Sequence, residues 1–257
     1  MKYLKKFESF ADYSAAVIDR PNVCLVGDTI YYNPPLPPDQ LPLYIEAIDN
    51  IAVVFTNACE YSRDNISWTS LAKSASVNAA PGEKIYYRAS GLTNINNDGI
   101  GAFRITKGNC NVGGNIMSMV YGADFAGQTQ LTLDSHLAGM FKQQSTIIDA
   151  SKLILPATTL TSYCYASLFI SCTNLIKGPT ISAITLVSNC LYYAFYGCTN
   201  LSYIKALFKT TPGTSYTQNW LSGVAANGIF VKNREASWTT TGVNGVPTGW
   251  TVETAEA

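Results

Sequence analysis

The residues whose types and spacing could do chemistry are, first of all, paired cysteines. "YCYASLFISCTNL", Tyr163 to Leu175, carries Cys164 and Cys172, and "NCLYYAFYGCTNL", Asn189 to Leu201, carries Cys190 and Cys198. Thiols at such positions could ligate a metal, form disulfides, attack as thiolates or simply pack. Each pair is separated by eight residues, whereas a zinc knuckle spaces its cysteines by two to four. The chain holds seven cysteines, an odd count for a disulfide framework. Burial as small apolar side chains with a weak S–H donor explains the pairs with the fewest assumptions. Disulfides between neighbouring copies stay open, because equivalent strand positions lie only ~5 Å apart.

Other catalytic constellations are thin. His136 is the only histidine, in "TLDSHLAGMF", and Asp134 and Ser135 stand too close to it in sequence for the three-way geometry of a triad. "DGIGAF" and "NVGGN" have paired glycines but no following Lys-Ser/Thr, so they read as hairpin turns or as a junction between domains, not as phosphate loops. Asp124, Asp134 and Asp149 are scattered, with no visible pair for glycoside hydrolysis. These residues point away from an enzyme, and they imply neither a metal nor a cofactor. A carbohydrate-active enzyme with an unrecognised site is the remote alternative.

The elements that would position the cysteines form a repeat. Cys164 and Cys190, Phe169 and Phe195, Cys172 and Cys198, and Leu175 and Leu201 are each 26 residues apart, and "LPATTL" matches "ISAITL" at the same offset. A period of 20–30 residues marks a solenoid, whose units are too small to bury an apolar face alone. Fainter copies begin at Met140, with Phe141 under Phe169, and at Trp220, with Leu221 under Phe195 and Gly223 under Gly197. Leu160, Cys164 and Leu168 fall at i, i+4 and i+8, which predicts a short helix on the outer side, capped by Thr158 or Thr159. Leu201, Ile204 and Ala206 follow the L-x-x-L-x-L spacing of a leucine-rich-repeat strand. If they point inward, Ser202, Tyr203 and Lys205 point out, with Ile176 and Lys177 as neighbours one rung earlier. These five are the candidate binding residues.

Upstream the grammar differs. Residues 1–42 read as a leader and connector, with "NVCLVGDTIYYN" as two strands around Gly27-Asp28 and "YYNPPLPPDQLP" as extended polyproline. Residues 43–112 hold short β-branched and aromatic runs ("LYIEAI", "IAVVFTN", "ISWTSLA", "KIYYRAS") separated by Pro81-Gly82 and Asn97-Asp98-Gly99, the pattern of a small Ig-like β-sandwich. Residues 113–257 form the repeat, closed by "GVNGVPTGWTV". The fold class expected is thus mixed β and α/β. Hydrophobic residues make up 47% and charged ones 13%, with 17 basic against 17 acidic. That balance gives no basic stripe for nucleic acid. No apolar run of ~18 residues is present for membrane insertion, and the N-terminus has no signal-peptide core. Sixteen tyrosines suit polar binding faces.

The segments "LPATTLTSYCYASLFISCTNL" and "NCLYYAFYGCTNLSYIKAL" closely resemble BspA-like leucine-rich repeats of gut Bacteroidetes surface and phage-associated proteins. "NWLSGVAANGIFVKN…GVNGVPTGWTV" resembles their closing module, and "KYLKKFESF…PNVCLV…YYNP" an N-terminal segment recurring in Bacteroides and phage proteins. The resemblance spans Phe141 to Val252 and is weaker over the sandwich. It implies a sandwich followed by a leucine-rich-repeat solenoid, at a cell surface or on a virion, binding an uncharacterised protein or glycan. A phage or prophage tail or baseplate component is the alternative it leaves open. It brings no catalytic residue.

Overall fold

The computed structural model describes residues 36–92 and 102–256, together with the backbone of three short strands nearer the N-terminus. The chain divides into two compact units, residues 1–37 and 38–257. In the first, β1 (Lys5–Lys6), β2 (Val23–Val26) and β3 (Thr29–Tyr32) form an antiparallel sheet in the order β1-β3-β2. Val26 stands opposite Thr29, and Gly27-Asp28 lies outside the described residues. The expected polyproline connector is interrupted at both ends. Tyr31 and Tyr32 belong to β3, and Pro38–Gln40 closes a 3-10 turn in which the Leu41 amide donates to the Pro38 carbonyl. Proline's fixed φ suits the first position of such a turn as well as an extended chain.

The second unit is mostly β. Its first half supplies β4 (Leu43–Ala47), β5 (Ile51–Phe55), β6 (Cys59–Ser62), β7 (Thr69–Leu71), β8 (Ser76–Ala79), β9 (Lys84–Arg88), β10 (Phe103–Lys107) and β11 (Cys110–Asn115). Strands β10, β5 and β8 form one antiparallel sheet. Strands β4, β9, β6 and β7 instead join a ten-stranded sheet that runs on without a break through β11 to β12 (Ile147–Leu155), β13 (Lys177–Ile181), β14 (Tyr203–Ala206), β15 (Ile229–Lys232) and β16 (Thr251–Thr254). From β11 onward neighbours pair in parallel, in a β-solenoid of about four turns.

Strand β11 joins the two pairing modes, antiparallel to β4 on one side and parallel to β12 on the other. Its "NVGGN" is strand, not turn, and the glycines are there because no side chain would fit. A Cβ on Gly113 would collide with the Tyr44 ring, and one on Gly114 would collide with the Pro42 carbonyl oxygen. The Pro81-Gly82 turn joins β8 to β9; Asn97-Asp98-Gly99 lies outside the described residues.

The expected outer helices are absent, which corrects the α/β reading; the only α-helix among the described residues is the single turn Ser118–Tyr121. Thr158 and Thr159 cap nothing: both amides donate to the Thr129 carbonyl one rung earlier. In place of a helix the chain forms a ribbon of overlapping turns. The amides of Cys164, Ala166, Leu168, Ile170 and Cys172 each donate to the carbonyl three residues back. The alternate amides, of Tyr163, Tyr165, Ser167, Phe169 and Ser171, donate to Ser188, Cys190, Tyr192, Ala194 and Tyr196 of the next rung. The carbonyls divide in the same way, so along this stretch the backbone groups are satisfied without an i→i−4 ladder. Tyr163, Ser167 and Ser171 adopt positive φ (57°, 54°, 60°), which breaks helical winding every fourth residue. Buried positions recur with a period of four, at Cys164/Tyr165, Leu168/Phe169 and Cys172, then at Cys190/Leu191, Ala194/Phe195 and Cys198.

That period builds the core. Phe103, Phe141, Phe169 and Phe195 stack with centroids 5.6, 5.0 and 5.6 Å apart, and the row ends edge-on against Trp220. Trp220, Trp238 and Trp250 close the last turn, and each indole N–H reaches a backbone carbonyl, at Gly245, Phe208 and Ala225. Each indole thus buries its ring in the core without leaving its N–H unpaired.

Candidate functional site

The repeat-core residues Cys164, Phe169, Cys172, Leu175, Cys190, Phe195, Cys198 and Leu201 are all buried. The four repeat cysteines, with Cys59 and Cys110, are free thiols. Each rung-closing thiol donates to a carbonyl of the rung before, Cys172 to Phe141 (2.9 Å) and Cys198 to Phe169 (3.0 Å). Burial pushes Cys190 up to about 11 and Cys198 and Cys110 up to about 12, and it raises Cys164 and Cys172 as well. Thiols held protonated in this way are poor nucleophiles. Among the described residues no group of three His, Cys, Asp or Glu side chains could hold a metal ion.

The other chemical candidates serve local structure. His136 is buried, and desolvation lowers its imidazole pKa. Asp134 accepts from the Ser162 amide and Asp149 from the Ser151 amide. Asp124 borders a recess of about 760 Å³ between β6, β7, β9 and the Tyr121–Asp124 turn. The other carboxylate there, Glu60, accepts a 2.7 Å bond from Arg88, whose guanidinium lies over the Trp68 ring.

The candidate binding residues gather on the outward strand face. Parallel register aligns Asp149, Lys177, Tyr203, Ile229 and Thr251 in one column across β12 to β16. A second column runs through Thr180, Lys205, Val231 and Glu253. Ile176 and Lys177 are exposed; Ser202, Tyr203 and Lys205 are half-buried. Their inward neighbours Leu201, Ile204 and Ala206 are fully buried, so the alternation of β14 holds the outward row in place. Gly178 makes room for the Ile204 side chain, whose tip would lie 2.5 Å from a Cβ there, and β13 bulges between Lys177 and Thr180. Lys205 also lines a groove of about 300 Å³ with Ile184, Asn233 and an ion pair between Lys209 and Glu235. That ion pair, with Lys209 beside the carboxyl, keeps the Glu235 pKa below its ordinary value.

A second surface on the turn side was not among the sequence candidates. Tyr163, Tyr192, Tyr193 and Tyr196 form a contiguous row, with ring centroids 5.9, 4.4 and 4.9 Å apart. Asn189 donates to the Tyr163 hydroxyl (3.0 Å) and Asn219 to the Tyr193 hydroxyl (2.9 Å), each from the following rung. The signal was present as Tyr192-Tyr193 and Tyr196 within one repeat, but the row also needs Tyr163 from the rung before, which only the fold brings alongside.

No family model, curated protein or solved structure matches the chain. No helix among the described residues is long and apolar enough to cross a membrane.

Proposed function

We propose that this protein is a non-enzymatic interaction module of the BspA-like leucine-rich-repeat kind, in which a β-sandwich precedes the solenoid and the strand face meets a protein or glycan partner. The observation that carries the reading is the register of the outward column, which holds Lys177, Tyr203 and Ile229 side by side on adjacent parallel strands. Parallel strands lie ~4.8 Å apart, so this row is a rigid strip with little conformational entropy left to lose on binding. Tyr203 stands between a cation and an apolar side chain, and tyrosine supplies both apolar area and a hydroxyl. The repeat thiols are held protonated in the core and His136 is buried, which supports binding over catalysis.

The test is a screen of the purified chain on glycan and protein arrays representing host and bacterial surfaces, repeated with Tyr203→Ala. Specific binding that Tyr203→Ala abolishes while the thermal transition is unchanged supports the proposal. Arrays on which neither Tyr203→Ala nor Lys177→Ala removes any binding, or arrays that stay blank, would sink it.

A further inference from the structure

We propose that the tyrosine row on the turn side, comprising Tyr163, Tyr192, Tyr193 and Tyr196, is a binding surface for a neutral carbohydrate chain. This goes beyond the strand-face reading and rests on different residues, so either can fail alone.

Charge is the first argument. Between Lys152 and Lys177, between Lys177 and Lys205, and between Lys209 and Lys232 there is no Asp, Glu, Lys or Arg. These uncharged stretches include the two ribbons that carry the tyrosines; the ribbon before them holds Asp134, which accepts from the Ser162 amide, and Lys142. With Asp134 the one carboxylate at its edge, the row offers little field to attract an ionic ligand and few partners for the charges that a typical protein epitope would desolvate on it. It suits a ligand that is itself uncharged.

Chemistry is the second. A neutral sugar ring has an apolar C–H face and a rim of hydroxyls. It therefore calls for aromatic faces beside amide and hydroxyl groups, and this row supplies both. Tyr163 and Tyr196 are 41% and 40% exposed, and Asn189 and exposed Ser188 lie beside them. The amides of Asn189 and Asn219 occupy the acceptor side of the Tyr163 and Tyr193 hydroxyls, which leaves the phenolic hydrogens to donate outward. The same two bonds fix the rings in advance, lowering the entropy cost of binding. Neither the 760 Å³ recess nor the 300 Å³ groove includes any of these tyrosines. An extended sugar chain needs only consecutive ring faces, which the row supplies.

Backbone strain is the third. Tyr163 and Tyr193 sit at φ 57° and 55°, in the series of positions filled by Gly139, Gly197 and Gly223 elsewhere in the ribbon. A bulky residue is uncommon there, and strain of this kind gathers at functional sites. The exposed ring of Tyr163 gains little from burial to offset it, and that of Tyr193 is half-buried.

The experiment is affinity electrophoresis of the full chain through gels containing neutral polysaccharides (glucan, mannan, galactan and xylan). It is paired with an array carrying neutral, sialylated and sulfated oligosaccharides and immobilised proteins. Retardation by at least one neutral glycan, insensitive to salt, is expected. Tyr196→Ala and, separately, Tyr192→Ala should each weaken it at least ~10-fold without moving the thermal transition, while Tyr203→Ala leaves it intact. Binding confined to acidic glycans, or to proteins, overturns the proposal. So does neutral-glycan binding that both tyrosine variants retain, or that Tyr203→Ala abolishes, and so does no retardation at all.

Discussion

Each rung of the solenoid satisfies its backbone twice over, by different means on its two sides. On the strand side β12 to β16 pair in parallel, side chains alternate with period two, and the lysines and acidic residues collect. On the turn side alternate amides close local turns and reach the next rung, side chains recur with period four, and the two clearest copies carry no charge. The lesson is that a rung needs no helix to return the chain. Two outward and two inward positions in every four residues, with a left-handed residue at each reversal, keep one face against the core indefinitely. The turn side also holds the buried thiols Cys164, Cys172, Cys190 and Cys198, so the two sides should respond differently to solvent conditions.

The largest expected difference is alkaline. The buried thiols have folded pKa values raised from near 9 to about 11 at Cys190 and about 12 at Cys198, Cys59 and Cys110. In the unfolded chain they ionise above pH 9, while the folded chain keeps its protons. The folded state then binds more protons, and unfolding becomes easier as pH rises. The stabilisation is fully present below pH 9 and is lost progressively between 9 and about 11–12. One pH unit above 9, each such thiol contributes a loss of about 1.4 kcal/mol. Urea midpoints at pH 7.5, 9 and 10 should fall steeply over the last interval, and Cys190→Ala with Cys198→Ala should flatten the slope. A midpoint flat from pH 7.5 to 10 would contradict thiol burial on the turn side.

Next in size is the aromatic stack. Phe169 lies between Phe141 at 5.0 Å and Phe195 at 5.6 Å and is fully buried. Phe169→Ala should destabilise the chain by about 3–5 kcal/mol in equilibrium denaturation, through lost transfer energy and the cavity left between rungs. On the strand side, Ile204→Val removes one methyl group from the contact over Gly178 and should cost about 1 kcal/mol. Equal losses would mean that the core is not divided as the stacking indicates.

Whether the turn side is a ribbon or a helix is decided by glycine. Ser171 has φ 60° and corresponds to Gly197, at φ 72°, one rung on. In the ribbon, Ser171→Gly should stabilise by about 1 kcal/mol and Gly197→Ala should destabilise by a similar amount, both read from thermal or urea transitions. In a helix the signs reverse, since alanine outranks glycine by about 1 kcal/mol.

The same positions show how much of the fold the sequence carried. The 26-residue phase of Cys164, Phe169, Cys172 and Leu175 made the solenoid legible, because a solenoid repeats its contacts at fixed spacing. The i, i+4, i+8 set of Leu160, Cys164 and Leu168 did not separate a period of 4.0 from one of 3.6, since they differ by only ~80° over eight residues. The inward pairs Cys164/Tyr165 and Leu168/Phe169 carry the finer signal, and it needs the whole stretch to Cys172 to emerge. The outward strand residues Tyr203 and Lys205 could be read because period two is unambiguous over so short a run. The tyrosine row could not, because it exists only once Tyr163 and Tyr192 are brought together from successive rungs.

The smallest effect concerns one polar atom in the apolar interior of the turn side. Leu137, Tyr165 and Leu191 occupy equivalent positions, with the Leu137 amide donating to Cys164 and the Tyr165 amide donating to Cys190. The Tyr165 hydroxyl is buried without a hydrogen-bond partner among the described residues, and burial raises its pKa well above the ordinary value. A buried hydroxyl left unsatisfied is a net loss against the same ring without it. Tyr165→Phe should therefore raise stability by about 0.5–1 kcal/mol, visible as a higher urea midpoint with an unchanged slope. It should also reduce the alkaline sensitivity, since a phenol with a raised folded pKa loses stabilisation as pH climbs past its unfolded value near 10. A destabilised Phe variant would mean that the hydroxyl has a partner, such as a buried water bridging to a backbone carbonyl, and that the turn-side interior is wetter than its run of leucines and phenylalanines implies.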